Sequence, residues 1–259
     1  MKVYYMNGAG NDFMVMDARG ETGLDFGKLA LEYCKLENAD GFMAVDVSET
    51  ADFKLHFYNS DGTRGEMCGN GARCICRFAY DMGIAGAEMT VETDAGLVPG
   101  WRLDENLYRV KLNDPSVLDL NRKGDIAYVE LGNPGVPHAV YEYKGDLWGD
   151  KEGLLESMRA LRFDAAFPKG ANVNFYQTIG ENEVKVLTFE RGVEDFTLAC
   201  GTGTGSVACT LFKKGLLPGG KLTAHNPGGT LKVTIGEEAG ILNSILLEGP
   251  TQIVKVYEL

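Results

Sequence analysis

Apolar positions along this chain fall into short alternating runs broken by glycine-rich turns, and the same order of runs occurs twice. Phe53, Leu55 and Phe57 alternate with polar neighbours, as do Val184 and Val186 with a continuation to Phe189. Successive side chains of a strand point to opposite faces, so both segments predict strands. A turn follows each, then the sequence Cys-Gly-x-Gly, beginning at Cys68 and at Cys200. Beyond it, Ala72, Ile75, Cys76, Ala79 and Met82 recur at helical spacing, as do Val207, Ala208 and Leu211. Gly83 and Gly215 stand where a left-handed cap ends a helix. Asp94-Ala95-Gly96 and Asn226-Pro227-Gly228-Gly229 then supply turn chemistry to β-rich runs. Each half predicts strand, helix and hairpin.

The two cysteines lie 132 residues apart, and Phe57 with Phe189, Gly83 with Gly215 and Gly96 with Gly228 keep that offset. The matches are few but fall at structural punctuation, which marks a duplicated unit. A chain of 259 residues accommodates two domains. Its formal charge of −12, with no basic stripe, argues against nucleic acid as a partner. No run of apolar residues is long enough to span a membrane. Met1 to Phe13 lack the apolar core of a secretory leader, so a cytoplasmic location is expected.

Six cysteines, Cys34, Cys68, Cys74, Cys76, Cys200 and Cys209, are expected as reduced thiols, and four of them as small buried hydrophobes. Cys68, Cys74 and Cys76 contain no Cys-x-x-Cys pair, so no metal is expected. Gly201 to Gly205 lack the Gly-Lys-Ser/Thr of a phosphate loop. Cys68 and Cys200 differ from the others by opening a helix. Unpaired N–H groups there carry about half a positive charge, which stabilises a thiolate and binds carboxylates. One such element is common, but two related by duplication suit one reaction. Inverting a carbon stereocentre needs a base on one face and an acid on the other. Two helix starts gathered on the substrate's α-carboxylate would also stabilise the charge that develops there, without an added cofactor.

The residues that carry this pattern resemble the diaminopimelate epimerase family. They are Met6-Asn7-Gly8-Ala9-Gly10-Asn11-Asp12-Phe13, Phe57-Tyr58-Asn59-Ser60-Asp61-Gly62, Glu66-Met67-Cys68-Gly69-Asn70-Gly71-Ala72-Arg73, Glu190-Arg191-Gly192 and Leu198-Ala199-Cys200-Gly201-Thr202-Gly203. The resemblance implies a mixed α/β fold of two pseudo-symmetric domains, each a sheet wrapped around a central helix, with the site at their interface. The boundaries it suggests are 1–112 with 250–259, and 113–249. It implies epimerisation of LL- and meso-diaminopimelate in lysine and peptidoglycan synthesis, with Cys68 and Cys200 as the acid–base pair. His138 and Glu190 would assist proton movement. Gly69, Asn70, Gly201 and Thr202 would hold the reacting carboxylate. Asn11, Asn59, Asn133, Asn172, Glu190 and Arg191 would hold the distal end of the substrate. Val256-Tyr257 resembles the segment that family uses to form homodimers.

Asn59 and Arg191 both lie nine residues before a cysteine, which suggests equivalent recognition positions for a substrate with two amino-acid ends. Two departures stand out. The family's Gly-Asn-Pro-His reads Gly132-Asn133-Pro134-Gly135-Val136-Pro137-His138 here, so Asn133 must reach in from a longer loop if His138 is the aligned histidine. Glu37-Asn38-Ala39-Asp40-Gly41 also lacks the glycines usual before Ala-Asp. A racemase acting on proline or histidine, and an amino-acid binding protein without catalysis, are the competing readings.

Overall fold

The computed structural model describes residues 1–65 and 68–258; Glu66 and Met67 of the first cysteine motif, and Leu259, lie outside them. The chain forms two compact units, Met1–Lys111 with Glu248–Leu259, and Leu112–Leu247. Among the described residues no helix is long and apolar enough to cross a membrane.

The first unit runs β1 (Lys2–Gly8), β2 (Asn11–Asp17), α1 (Phe26–Tyr33), β3 (Gly41–Asp46), β4 (Phe53–Asn59), α2 (Gly69–Asp81), β5 (Glu88–Thr93), β6 (Gly96–Arg102) and β7 (Leu107–Leu112). The second runs β8 (Pro115–Lys123), β9 (Ile126–Gly132), β10 (Gly135–Glu142), α3 (Lys151–Arg162), β11 (Asn172–Gly180), β12 (Glu183–Glu190), β13 (Asp195–Thr197), α4 (Gly201–Lys213), β14 (Lys221–Asn226), β15 (Gly229–Glu238) and β16 (Ile241–Pro250). The last strand, β17 (Gln252–Glu258), returns to the first unit and pairs antiparallel with β1.

The two units share one pairing scheme. In the first, β1–β2 is antiparallel, β2–β3 parallel, β3–β4 antiparallel, β4–β5 parallel and β5–β6 antiparallel. In the second, β9–β10, β10–β11, β11–β12, β12–β14 and β14–β15 repeat that order. The fold class expected from the sequence, a duplicated mixed α/β unit, is the one observed.

Helical periodicity in the sequence picks out one apolar face of each central helix, but the helices are buried on nearly all sides. In α2 every residue from Gly69 to Ala79 except Arg77 is buried, and in α4 every residue from Gly201 to Leu211 except Thr202. Small residues (Gly, Ala, Cys, Ser, Thr) dominate both segments, and they let strands approach a helix closely from several directions. The sheet's other face is covered by α1 in the first unit, where Ala30 and Tyr33 join Met14, Phe42 and Ala44. In the second unit α3 plays this part, with Leu154 and Met158 against Val173, Phe175 and Phe189.

The register corrects three pairings expected from the constant 132-residue offset. Met43 pairs with Phe57 and Asn174 with Thr188, so the strands before the helix are offset by 131. Phe57 matches Thr188, and Phe189 matches Tyr58. Their surroundings agree: Phe57 meets Phe13, whereas Phe189 and Tyr58 lie on the α3 and α1 sides of their sheets. By the same register Asn59 matches Glu190 rather than Arg191. The cause is a longer turn in the second unit, where Phe189 pairs with Phe196 but Tyr58 bridges to Arg64. After the helices the offset becomes 133, because the turn at Pro218–Gly220 adds a residue. Gly96 therefore matches Gly229, not Gly228: each opens the second strand of its hairpin with positive φ, +107° and +149°.

Candidate active site

Both helices begin on a cysteine of nearly the same conformation. Cys68 has φ −121°, ψ 120° and Cys200 has φ −121°, ψ 113°, the extended geometry of an N-cap. Each sulfur takes the place of the usual capping oxygen. Gly71 N donates to Cys68 Sγ at 3.5 Å, and Gly203 N donates to Cys200 Sγ at 3.3 Å. A thiolate is the better acceptor for such an amide, and it also faces the positive end of its helix. Thr202 Oγ1 lies 3.5 Å from Cys200 Sγ. Cys200 is buried and Cys68 partly so. The other four cysteines are buried, and burial pushes each of their thiols up to about 12, so they stay protonated.

Around the first helix start, Asn70 Nδ2 donates to Asn11 Oδ1 at 2.5 Å, and Asn11 Nδ2 donates to Asp40 Oδ2 at 3.1 Å. Asp40 Oδ2 also accepts from Asp12 N at 3.0 Å, which fixes the turn between β1 and β2 against the helix. Asn59 ends β4 and donates to Thr63 Oγ1 at 3.0 Å. Gly69 and Asn70 are the first helical residues, Gly201 and Thr202 their counterparts.

Around the second helix start, His138 of β10 pairs in register with Asn172 of β11. His138 is fully buried, and Asn174 Nδ2 donates to its Nδ1 at 3.1 Å. The same amide nitrogen faces the carbonyls of Ala139 and Asn172 at 3.3 and 3.1 Å, which sets its orientation. Accepting at Nδ1 leaves the imidazole proton on Nε2. Burial, helped by the Arg191 charge, lowers the His138 pKa to about 3, so the ring is a neutral donor at physiological pH. Nε2 has no hydrogen-bond partner among the described residues. Thr188 Oγ1 donates to Asn174 Oδ1 at 3.0 Å. Asn172 Oδ1 accepts from Arg191 N at 2.8 Å, and Asn172 Nδ2 donates to Pro137 O at 3.3 Å. Arg191 Nη1 donates to Lys169 O at 3.1 Å, and Glu190 ends β12 beside it. Asn133 is exposed in the turn between β9 and β10.

Sequence reasoning missed Asp40, Asn174, Thr188 and the buried Arg73. Asn174 carried a signal, because Asn172 and Asn174 are polar, two residues apart in the buried first half of a strand, and so share a face. Among the described residues, no three His, Cys, Asp or Glu side chains are grouped as a metal site.

A family model described as Diaminopimelate epimerase matches residues 3–117 and 131–254. A protein named diaminopimelate epimerase from Aquifex aeolicus is 36% identical, covering 100% of this chain and 96% of its own. One of the same name from Chlorobaculum tepidum is 34% identical, covering 96% of this chain and 97% of its own. Among solved structures, a phenazine biosynthesis protein of the PhzF family from Bacillus anthracis superposes with a TM-score of 0.72 at 15% identity, covering 100% of this chain and 98% of its own. A probable proline racemase from Agrobacterium radiobacter K84, with bound carbonate, gives 0.65 at 17%, covering 100% and 92%. At such identities the likeness is one of fold.

Proposed function

We propose, because this chain belongs to the diaminopimelate epimerase family, that it interconverts LL- and meso-2,6-diaminopimelate with two cysteines and no pyridoxal phosphate. One thiolate removes the α-proton, and the thiol on the opposite face delivers its own proton to the same carbon. The charge left on the α-carbon spreads into the α-carboxylate, which the N–H groups of Gly69, Asn70, Gly201 and Thr202 receive at the two helix starts. After one turnover thiol and thiolate have exchanged places, and proton exchange with water resets them. His138, as a neutral Nε2 donor, and Glu190 attend the proton transfer.

Asn11, Asn59, Asn133, Asn172, Glu190 and Arg191 hold the distal end, where the Arg191 guanidinium can take a carboxylate bidentately. The observation that carries the reading is the duplication of one element: a cysteine N-cap whose sulfur accepts the amide of a glycine three residues on. Cytoplasmic location, a place in lysine and peptidoglycan synthesis, and a homodimer formed through the segment with Val256 and Tyr257 belong to the same reading. They rest on family membership.

The test is α-hydrogen exchange in D2O with each diaminopimelate isomer, for the wild type and for Cys68→Ala and Cys200→Ala. Inversion with uptake of solvent deuterium by the wild type, and loss of inversion in both variants, is the expected result. Exchange on proline or histidine but not diaminopimelate would replace the substrate, and wild-type turnover in either variant would end the two-thiol mechanism.

A further inference from the structure

The duplication breaks at a charged position close to the first helix start. Arg73 stands five residues after Cys68, and the residue five after Cys200 is Gly205. Helical side chains lean toward the helix N-terminus, so Arg73 points back over Gly69. Its Nη1 donates to Gly69 O at 3.3 Å and its Nη2 to Gly8 O at 3.4 Å. The side chain is fully buried, its Nε has no hydrogen-bond partner among the described residues, and both of these acceptors are backbone carbonyls. In the second unit that volume is taken by hydrocarbon, since a methyl on Gly205 would meet Leu112 Cδ1 at 2.7 Å and Leu131 Cδ1 at 3.4 Å.

A buried cation with two carbonyl partners is costly, and its position adds to the cost. The N-terminus of a helix already carries positive partial charge, so a second positive charge belongs there only if an anion is held nearby. Cys68 is the helix cap at that end, directly before the Gly69 whose carbonyl the guanidinium holds, and among the groups that favour the Arg73 charge it comes after Cys74. Burial lowers the Arg73 pKa only to about 10, which keeps the cation at neutral pH. The other titratable groups at this point are Cys74 and Cys76 on the same helix, both held as thiols by burial, Arg77 one turn on, and Asp12 on β2, which accepts from Asn7 Nδ2 at 2.7 Å. Around the second helix start the titratable groups are the neutral His138 and the exposed Arg191, whose charge acts on His138 and whose Nη1 donates to Lys169 O.

We propose that Arg73 is a positioning residue that biases the resting protein toward a Cys68 thiolate and a Cys200 thiol. It rests on the two-thiol reading above. The pair is then unequal before substrate arrives, and a base working from the Cys68 side is ready without a prior proton transfer.

The test follows the thiolate absorbance of Cys68 against pH in full-length protein carrying Cys200→Ser, with Arg73, Arg73→Lys or Arg73→Met. Iodoacetamide labelling at each cysteine, located by peptide mass spectrometry, provides a second readout. Arg73→Met is expected to raise the Cys68 midpoint by one pH unit or more, a tenfold loss of thiolate at fixed pH, and Arg73→Lys to recover most of it. The Cys200 midpoint, read in Cys68→Ser, is expected to lie above that of Cys68 and to ignore Arg73→Met. If Arg73→Met does not fold, the two midpoints with Arg73 in place still decide: equal values overturn the proposal. So does a Cys68 midpoint indifferent to Arg73→Met. Failure of diaminopimelate to protect either cysteine from labelling would instead count against the two-thiol reading.

Discussion

The two helix starts have the same backbone and different undersides. Beneath Gly71 the sheet presents Phe13, Met43 and, in register with Met43, Phe57. Beneath Gly203 the equivalent strand positions carry His138, Asn174 and Thr188, joined by hydrogen bonds. An apolar floor with a buried guanidinium lies at one start, and a neutral polar network at the other. Duplication preserved the capped cysteine and its glycine amide in both units. Positions one layer away diverged, to Phe13, Met43 and Phe57 in one unit and His138, Asn174 and Thr188 in the other.

The largest effect that could break this comparison is loss of either sulfur. Cys68→Ala and Cys200→Ala are each expected to lower inversion about a thousandfold or more, because general acid–base groups contribute about 10²- to 10⁴-fold. Both should retain the wild-type circular dichroism spectrum, and a single variant with wild-type kcat for either isomer would contradict equal need.

Gly71→Ala and Gly203→Ala sharpen it next. A methyl on Gly203 would fall 2.1 Å from Asn174 Oδ1 and break the buried network, whereas on Gly71 the nearest atom is Met43 Sδ at 3.2 Å. Overpacking and a lost buried hydrogen bond together cost about 3 kcal/mol for Gly203→Ala. Gly71→Ala should stay within about 1 kcal/mol, since alanine's helix propensity offsets the crowding. Urea denaturation measures both, and equal losses would remove the distinction between the two floors.

The third difference is one of pH. His138 titrates at about 3 in the folded protein against an ordinary value of 6.5, so between those values the unfolded chain binds the extra proton. Stability then rises with pH across that window, by up to about 1.4 kcal/mol per unit, and is lost as pH falls through it. His138→Gln should flatten the slope of unfolding free energy from pH 6.5 toward 3. Phe13, at the matching position, adds nothing to that slope. An unchanged slope in the variant would show that His138 is not buried neutral.

The smallest effect should be the same in both units. Gly83 and Gly215 end their helices at φ +65° and +72° with nothing within 4 Å of an added methyl. Alanine there pays only backbone strain, about 1 kcal/mol each. Thermal melts that separate the two by more than a few degrees would mean the caps are not equivalent.

Period-two and helical spacing sufficed for β4, α2, β12 and α4, and the Cys-Gly-x-Gly motif for both helix starts. Those signals are local, fixed by a few consecutive side chains and by the glycine that must follow the cap. Counting residues then misled at the strands. Phe57 and Phe189 lie on opposite faces because a single extra residue between β12 and β13 shifts the register, and a shift of one turns every side chain over. Asp40 went unnoticed as the anchor of Asn11 because it lies far along the chain and acts through a parallel strand pair.

The sequence by itself determined that a strand, a cysteine-capped helix and a hairpin occur twice, since periodicity, caps and turns are written in neighbouring residues. Only the tertiary structure decided what lies beneath each sulfur. Whether a residue such as Arg73 ends up in solvent or sealed against a helix start depends on strands that arrive from elsewhere in the chain and exclude water around it.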